Sequence, residues 1–414
     1  MRVAIVGSGI SGLLAASLLH PRREITLFEA DPRLGGHANT VQVDDGRDSF
    51  QVDTGFLVFN DRTYPTLMAL FDRLGVVARV SDMSFAVRDE ETGLEYGGGS
   101  FNALFAQRRN LLRPSFHALL REIVRFHEEG RRYLAKDGPE EPLGAFLAER
   151  GFSEALARYY LVPMTASIWS AAPATIAAFP ARTLLRFFHN HGLLETKNYP
   201  TWFTIEGGSR SYVEALSRPF RDRVRLGAPV RAIRREKDGV VVATDSMGRE
   251  RFDEVVLAVH SDQALAIMED PSPEEREILG AIPYLSNEAV LHTDVRLLPR
   301  RRAAWSSWNY FIPRAAGSRP LVTYHLNRLH RLKARREFCV TLNPGDRVAP
   351  ERVLARISYA HPVYSERGVA AQRRHHEISG TRRTHFAGAY WGHGFHEDGA
   401  RSAVTVARAL GAAE

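Results

Sequence analysis

Cysteine and lysine are almost absent from this 414-residue sequence, which has one cysteine, Cys339, and four lysines among its 55 basic residues. A lone cysteine excludes an internal disulfide and is typical of a reducing compartment. The chain opens directly on the apolar run Val3 to Val6, which leaves no room for a cleavable signal peptide. We therefore expect a cytoplasmic protein.

The formal net charge of +7 comes almost entirely from arginine. Such a skew is typical of codon bias, and pI speaks to non-specific association rather than to fold. Because no recognition module accompanies the basic residues, we expect no nucleic-acid partner.

Long apolar runs are also missing. The stretch from Tyr159 to Ala181 has no charged residue, but Pro163, Pro173 and Pro180 interrupt it. A transmembrane helix needs about 20 continuous apolar residues, so this stretch predicts a buried wall rather than a membrane span.

Motifs for several other chemistries do not occur. The sequence has no CxxC pair, no HExxH, no GxxxxGK[ST] phosphate loop and no GxSxG nucleophile turn. His375 and His376 are adjacent but have no spaced third ligand, so we predict no metal site.

What the sequence does contain begins with a strand, a glycine turn, a helix and a second strand. The turn GSGISG occupies residues 7–12, and its glycines are Gly7, Gly9 and Gly12. They permit a tight turn, a close approach of the backbone to a pyrophosphate, and helix–strand packing, in that order. Glu29 ends the second strand, where a carboxylate accepts hydrogen bonds from ribose and disfavours the 2′-phosphate of NADP. The motif predicts a dinucleotide site and leaves FAD and NAD open.

The remaining residues fall into three segments with different patterns of apolar residues. Residues 205–265 alternate Val and Ile between turns and predict a small β element that leads into a buried strand at Val255 to Val259. Residues 100–200 have a helical pattern, and residues 285–345 contain strand-like runs. The length favours two domains over one.

Four separated segments together resemble the flavin amine oxidase and phytoene desaturase superfamily. DPRLGGHANT at 31–40 is similar to its RxGGR motif, with His37 in place of the final arginine, and VDTGF at 52–56 is similar to its flavin-side turn. Residues 207–260 resemble its middle FAD segment, and residues 386–407 resemble its closing motif. A helix beginning near Glu397 would direct N–H groups at the reduced flavin.

The resemblance implies an α/β protein in which a Rossmann-like FAD-binding domain (1–80, 205–265 and 380–414) is interleaved with an α+β substrate domain (81–204 and 266–379). It implies FAD as the cofactor, and Cys339 lies too far from Gly388 for covalent attachment, so we expect non-covalent FAD. The predicted cofactor residues are Gly7, Gly9, Gly12, Glu29, Arg33, Gly35, Gly36, His37, Asp53, Thr54, Gly55, Val230, Gly388, Gly394, Phe395 and His396.

RLGGHANT, VDTGFLVFN and GFHEDG are most similar to a subgroup associated with cyclopropane, methyl-branched and furan fatty acids. This implies a fatty-acyl or phospholipid substrate and an FAD-dependent desaturase. A fatty-acid double-bond isomerase, an amine oxidase and a non-catalytic lipid escort stay open as alternatives. By motif position, His37, His396 and Glu397 are candidates for the base, with Tyr324 in the substrate block and Trp305 and Asn327 as looser candidates.

Two segments suggest peripheral attachment to a membrane. From Pro114, apolar residues recur at helical spacing while arginines take the other faces, which is typical of a basic amphipathic helix. A second apolar and aromatic patch follows at 183–194 and would line an acyl tunnel with 159–181. We expect attachment through residues 105–130 and 183–194, with ordinary core packing as the alternative for both.

Overall fold

The structure is a computed structural model, and it describes residues 1–195, 198–246, 248–315, 319 and 321–412. Its strands, in chain order, are β1 (Arg2–Val6), β2 (Glu24–Phe28), β3 (Thr40–Asp44), β4 (Ser49–Asp53), β5 (Phe59–Asn60), β6 (Ala78–Val80), β7 (Phe85–Asp89), β8 (Glu95–Gly97), β9 (Trp202–Ile205), β10 (Val224–Arg225), β11 (Val230–Glu236), β12 (Gly239–Thr244), β13 (Gly248–Phe252), β14 (Glu254–Leu257), β15 (Tyr284–His292), β16 (Trp308–Ile312), β17 (Leu321–His325), β18 (Cys339–Leu342), β19 (Val353–Pro362) and β20 (Thr384–Phe386).

The helices are α1 (Ile10–Leu19), α2 (Pro65–Leu74), α3 (Phe101–Leu104), α4 (Pro114–Leu134), α5 (Leu143–Glu149), α6 (Glu154–Leu156), α7 (Val162–Trp169), α8 (Ala181–Asn190), α9 (Arg210–Ser217), α10 (Ser261–Ile267), α11 (Pro273–Leu279), α12 (Leu326–Leu329), α13 (Glu366–Gln372), α14 (His375–Ile378) and α15 (His396–Ala409). The predicted helical character of residues 100–200 is confirmed, as are helix starts at Pro114 and next to Glu397.

A parallel sheet holds the first half of the molecule together. Its order is β10-β2-β1-β14-β20, and every pair in it is parallel. After their charged first residues, β1, β2 and β14 are fully buried, and apart from Thr26 these buried residues are apolar, as in strands covered on both faces. Helices α1 and α15 pack against each other on one face of this sheet. This is the Rossmann-like α/β arrangement that we predicted.

The second half is built on a mostly antiparallel sheet of order β19-β15-β18-β17-β16-β7-β8, in which only the β16–β7 pair is parallel among the described strands. The helices α4 to α8 cover it, and the large cluster between them contains Phe126, Phe146, Leu184 and Phe188. The strand β19 forms the edge of this sheet. Its residues Tyr359 and His361 contact the dinucleotide half.

Our domain boundaries stay a prediction. The three segments assigned to the cofactor domain supply all five strands of the parallel sheet. However, Leu279 and Ile378, which lie outside those segments, pack in the same cluster as Val255 of β14. Helices α11 and α14 therefore extend the core of the parallel sheet across the boundaries that we drew at 265 and 380.

The apolar stripe of α4 faces inward. Phe116, Leu119 and Phe126 are buried, whereas Val124 is half exposed. In α8, Leu184, Leu185, Phe187 and Phe188 are also buried. Core packing, the alternative that we left open, therefore accounts for both apolar patches. Within the described residues, no helix has both the length and the apolar character that a membrane crossing requires.

Candidate cofactor and active site

The glycine turn between β1 and α1 has the geometry of a phosphate cradle. Gly7 takes a φ of +98°, which only glycine adopts readily. A Cβ placed on Gly12 would lie 1.9 Å from the Gly7 carbonyl oxygen, so the helix can approach the strand only without a side chain there. A Cβ on Gly9 would meet nothing within 4 Å. The turn therefore leaves open space in front of Gly9, at the N-terminus of α1, where a pyrophosphate binds.

Glu29 lies at the carboxyl end of β2 and faces this turn. Its carboxylate accepts hydrogen bonds from the Ser8 backbone N–H (2.9 Å) and the Asp31 backbone N–H (2.8 Å). The Ser8 hydroxyl donates to the same carboxylate. The side chain is thus held beside the phosphate cradle while one face stays accessible, as a ribose-binding carboxylate requires.

The RLGG segment packs directly against the glycine turn. The Gly35 N–H donates to the Ser8 carbonyl (3.0 Å), and Gly36 lies so close that its Cβ would be 3.3 Å from the Gly9 Cα. Both glycines have positive φ, +111° and +57°. The Arg33 guanidinium donates to the Gly36 carbonyl (2.9 Å) and fixes the loop. Two motifs that are distant in sequence therefore form one wall of the same groove.

A second helix N-terminus meets the first at this wall. The Ser11 hydroxyl of α1 donates to the Gly399 carbonyl of α15 (3.0 Å), and a Cβ on Gly399 would lie 2.8 Å from Ile10. Gly388 and Gly394 shape the loop that leads into α15, and Gly394 has a φ of +87°. Two helix N-termini in one groove provide free N–H groups and positive potential for a long dianionic ligand. Because FAD has a long, doubly charged pyrophosphate linker, the two helix N-termini fit FAD as the ligand of this groove.

Asp53, Thr54 and Gly55 brace the opposite wall. The buried Asp53 carboxylate accepts from the Thr40 hydroxyl (2.6 Å) and the Ser209 N–H (2.9 Å), and burial raises its pKa. The Thr54 hydroxyl is 2.8 Å from the Tyr359 hydroxyl. Asp53 thus joins β4 to the loop before α9, and its assigned cofactor role stays a prediction.

An aromatic and imidazole cluster lies where the two halves of the protein meet. The His37 ring stacks on Tyr359 at a centroid separation of 4.8 Å, and the rings of His361 and His260 lie 5.3 and 6.2 Å from it. Burial, and then repulsion between neighbouring imidazoles, lowers the pKa of His37 well below its usual value. Burial also lowers the pKa of His361 to about 4 and lowers that of His260. These imidazoles are neutral at pH 7.

Two of these neutral rings differ in their hydrogen bonding. The Asn287 amide donates to His361 Nδ1 (3.2 Å) and to the Leu285 carbonyl (3.2 Å), while its oxygen accepts from Asn343 (2.8 Å). This places the proton of His361 on Nε2. The buried His37 Nε2 has no hydrogen-bond partner among the described residues. His37 therefore has an unused nitrogen at the junction, and the buried Nε2 of His396 likewise has no hydrogen-bond partner among the described residues.

The structure gives the other candidate bases different surroundings. The His396 ring stacks on Phe56 at 3.7 Å and meets Tyr212 edge-on, and burial lowers its pKa to about 3. The Glu397 carboxylate accepts from the backbone N–H groups of Thr66 (3.1 Å) and Leu67 (3.0 Å), so it caps the N-terminus of α2. Both residues belong to the first turn of α15, where Glu397 is buried and His396 is partly buried.

The substrate-block candidates lie further away. Tyr324 is on β17, three strands from β19, which is about 14 Å across a sheet. Its hydroxyl donates to the Ser167 carbonyl (3.3 Å), and burial raises its pKa. Trp305 donates to the Pro299 carbonyl, and Asn327 braces the turn before β18. Their assigned roles stay predictions.

Val230 and Phe395, the remaining predicted cofactor residues, lie at the starts of β11 and α15. Val230 begins β11, next to a register shift, and the neighbouring Ala228 N–H donates to the Glu29 carbonyl (2.8 Å). Phe395 precedes α15 and stacks on Phe187 at 5.1 Å. A cleft of about 700 Å³ opens beside Phe395, with Arg62, His393 and Arg401 at its rim.

Sequence reasoning missed Tyr359, His361, His260 and Asn287. The available signal for β19 was the alternation of Ala355, Ile357, Tyr359 and His361 along one face of a strand. His375, one of the two adjacent histidines, donates to the Phe386 carbonyl (2.8 Å) and packs on Trp391.

This architecture defines the class of protein: a two-part α/β protein that binds a dinucleotide along the carboxyl ends of a parallel sheet. The chain belongs to the flavin containing amine oxidoreductase family, whose model matches residues 10–313.

Individual relatives are distant. A tryptophan 2-monooxygenase from Allorhizobium ampelinum is 36% identical over 103 residues, which is 24% of this chain and 14% of that protein. The chain matches 14% of the length of each curated relative compared. Putrescine oxidase bound to putrescine has a TM-score of 0.70 at 17% identity, covering 99% of both chains. A fatty acid isomerase from P. acnes has a TM-score of 0.65 at 17% identity, covering 98% of both. These structures share the fold.

Proposed function

We propose that this protein is a flavin-dependent oxidoreductase that binds FAD non-covalently and desaturates fatty-acyl chains. The observation that carries the proposal is the apolar character of the interior behind Phe395. Phe395 packs on Phe187 and approaches Trp169, which in turn packs on Phe179 (4.9 Å) and Tyr364 (6.0 Å). A hydrocarbon chain fits an aromatic layer of this kind, because it brings no polar group that would lose its hydration.

The carboxylates next to Phe395 argue against a cationic amine. Glu397 caps α2, and Asp398 accepts from the backbone N–H groups of His393 (3.0 Å) and Phe395 (3.1 Å). Burial raises the pKa of Asp398. Both carboxylates thus already have backbone donors, and Asp398 also pairs with Arg401 at 3.3 Å, so part of their acceptor capacity and charge is already used within the protein.

The rim of the 700 Å³ cleft suits the acidic end of an acyl substrate. Arg62 and Arg401 line it together with Glu195, and the Arg401 side chain, which is 61% exposed, also pairs with Asp398 at 3.3 Å. A guanidinium binds a carboxylate or phosphate oxygen through charge-assisted hydrogen bonds. We propose that the head of the substrate rests at this rim while its chain enters toward Phe395.

The proposed base is His37. When bound, the flavin supplies the acceptor for a hydride from one carbon of the acyl chain, and the neighbouring carbon loses a proton. His37 is neutral because burial lowers its pKa, and its Nε2 has no partner among the described residues, so it can accept that proton. His361, fixed by Asn287, orients the His37 ring from the side.

Purified protein incubated with saturated, methyl-branched and mono-unsaturated acyl substrates tests this proposal by product mass. Loss of two hydrogens supports desaturation. Unchanged mass with a moved double bond would identify an isomerase, and aldehyde formed from a primary amine would identify an amine oxidase. A protein purified without flavin absorbance would be a lipid escort. Acid precipitation should release all the FAD into the supernatant, because the attachment is non-covalent.

His37→Gln tests the base. We expect turnover to fall by about 100-fold, the range of a general base, with flavin content unchanged. His376→Gln, at an exposed histidine, is the matched control and should turn over normally. Equal turnover in His37→Gln and the native protein at every pH would exclude His37.

A further inference from the structure

One end of the substrate half exposes large apolar side chains on an ordered surface. Phe101 is 70% exposed, Leu111 is 41% exposed and Leu112 is 89% exposed. We name these three residues the apolar tip. Leu112 and Phe101 are the most exposed large apolar side chains in the described part of the chain. Isolated exposed leucines are ordinary, whereas an apolar patch on one small surface usually marks an interaction site.

The tip is held in place by its own packing. The Phe101 ring packs on Phe105 at 4.7 Å, and Phe105 packs on Phe116 (5.8 Å) and His117 (6.0 Å) of α4. His117 Nε2 lies 2.9 Å from the Leu111 carbonyl oxygen, to which it donates. The exposed side chains therefore project from a fixed base, and binding would cost little conformational entropy.

Arginine surrounds the tip and acidic residues are missing from it. From Tyr96 to Arg121 the sequence has no aspartate or glutamate, and it has four arginines, Arg108, Arg109, Arg113 and Arg121. The structure brings three more arginines to this surface from elsewhere in the chain, and they are Arg300, Arg301 and Arg302. Glu95 accepts the backbone N–H groups of Arg300 and Arg301 (3.1 Å each), and residues 302–304 pack on α3.

A cleft of about 600 Å³ lies beside the tip, between the two arginine segments. Its acidic side chains are already paired: Asp89 and Glu91 with Arg158, Glu90 with Arg347, and Glu95 with Arg88. In contrast, the guanidinium groups of Arg300 and Arg301 make no hydrogen bond or ion pair to a described residue. They are free to bind phosphate oxygens.

We propose that this surface docks on an anionic phospholipid bilayer, with the apolar tip in the interface and the arginines on lipid phosphates. A bilayer matches both properties at once, because it offers apolar depth and a negative surface potential. The proposal keeps the part of the predicted 105–130 surface that precedes α4 and adds residues 101–104 and 300–302. It leaves out α4 and residues 183–194, whose apolar side chains are mostly buried. It does not depend on the reaction that the protein catalyses.

Co-sedimentation with vesicles tests the docking surface, using phosphatidylcholine vesicles with and without an equal share of phosphatidylglycerol. We expect binding to the anionic vesicles at low salt and its loss at high salt. Arg300→Gln/Arg301→Gln should weaken partitioning by about 25-fold, since each basic residue near such a surface contributes about fivefold. Leu112→Ser should weaken it by about tenfold. Leu354→Ser, at a leucine 47% exposed on β19, is the matched control and should bind normally.

Two results would overturn the proposal. One is a native protein that stays in the supernatant at low salt. The other is Leu112→Ser binding vesicles as the native protein does while its mass by light scattering falls from dimer to monomer, which would make the tip an interface between copies. Flavin content and turnover of a detergent-dispersed acyl substrate should be unchanged in every variant, so failure here is distinguishable from failure of the proposed reaction.

Discussion

Replacing Gly9 with alanine should separate cofactor binding from folding. Gly9 has an extended backbone (φ −65°, ψ 179°) that alanine adopts without strain, and its Cβ would meet nothing within 4 Å. That open space lies at the N-terminus of α1, where the pyrophosphate of FAD would approach the backbone. The added methyl group would therefore clash with a bound pyrophosphate and with no atom of the protein.

Gly9→Ala should have a small effect on the stability of the apoprotein and a large effect on its affinity for FAD. Alanine is a poorer residue than glycine at the start of a helix by a few tenths of a kcal/mol, and it recovers about 0.5 kcal/mol by stiffening the unfolded chain. The free energy of unfolding of the apoprotein should thus change by less than about 0.5 kcal/mol. Loss of one or two hydrogen bonds to a charged phosphate costs about 3 kcal/mol, which weakens FAD binding by about 100-fold.

Gly12→Ala is the informative contrast. Its Cβ would lie 1.9 Å from the Gly7 carbonyl oxygen, which is backbone and cannot rotate away. Helix α1 would have to move about 1 Å from β1, and we expect a loss of about 3 kcal/mol in stability. The assays are urea unfolding of each apoprotein and fluorescence titration with FAD. If Gly9→Ala binds FAD as tightly as the native protein, the pyrophosphate does not lie at Gly9.

Two further predictions concern the start of α15. Glu397→Ala should lower the free energy of unfolding, measured in urea, by about 2 kcal/mol, because two backbone N–H groups of α2 lose their acceptor. Unchanged stability together with lost turnover would instead support a catalytic role for Glu397. His396 has a pKa of about 3 in the folded protein and about 6.5 when unfolded. Between pH 6.5 and pH 3 the unfolded chain therefore binds a proton at His396 that the folded protein does not bind. The free energy of unfolding is consequently highest above pH 6.5 and falls as the pH drops. This single group should cost about 2 kcal/mol between pH 7 and pH 5. His396→Leu should reduce the measured pH dependence by that amount, and an unchanged slope would contradict the burial of the ring.

Local chemistry made several features predictable from sequence. The order of strand, glycine turn and helix followed from residues that are adjacent in the chain, and so did the carboxylate at the end of β2. The helix starts at Pro114 and beside Glu397 followed from local signals as well. Each depends on backbone freedom or on side-chain periodicity within one or two turns.

Other features depended on partners far along the chain. In the sequence Glu397 lies within a predicted flavin motif, but the hydrogen-bond partners of Glu397 are in α2, more than 300 residues away along the chain. It presented an amphipathic α4 whose apolar stripe fits a core and a membrane equally well. Only the packing of Phe116 and Phe126 against other elements decided for the core.

By itself the sequence determined the unit of strand, glycine turn and helix and the carboxylate at the end of β2, because those requirements are local and sterically strict. The tertiary structure decided which side chains meet at the junction of the two halves. Tyr359 and His361 reach His37 because β19 is the edge strand of its sheet, a property of strand order that no local pattern contains. It also decided which apolar residues stay outside, since Leu112 and Leu119 differ only in what packs against them.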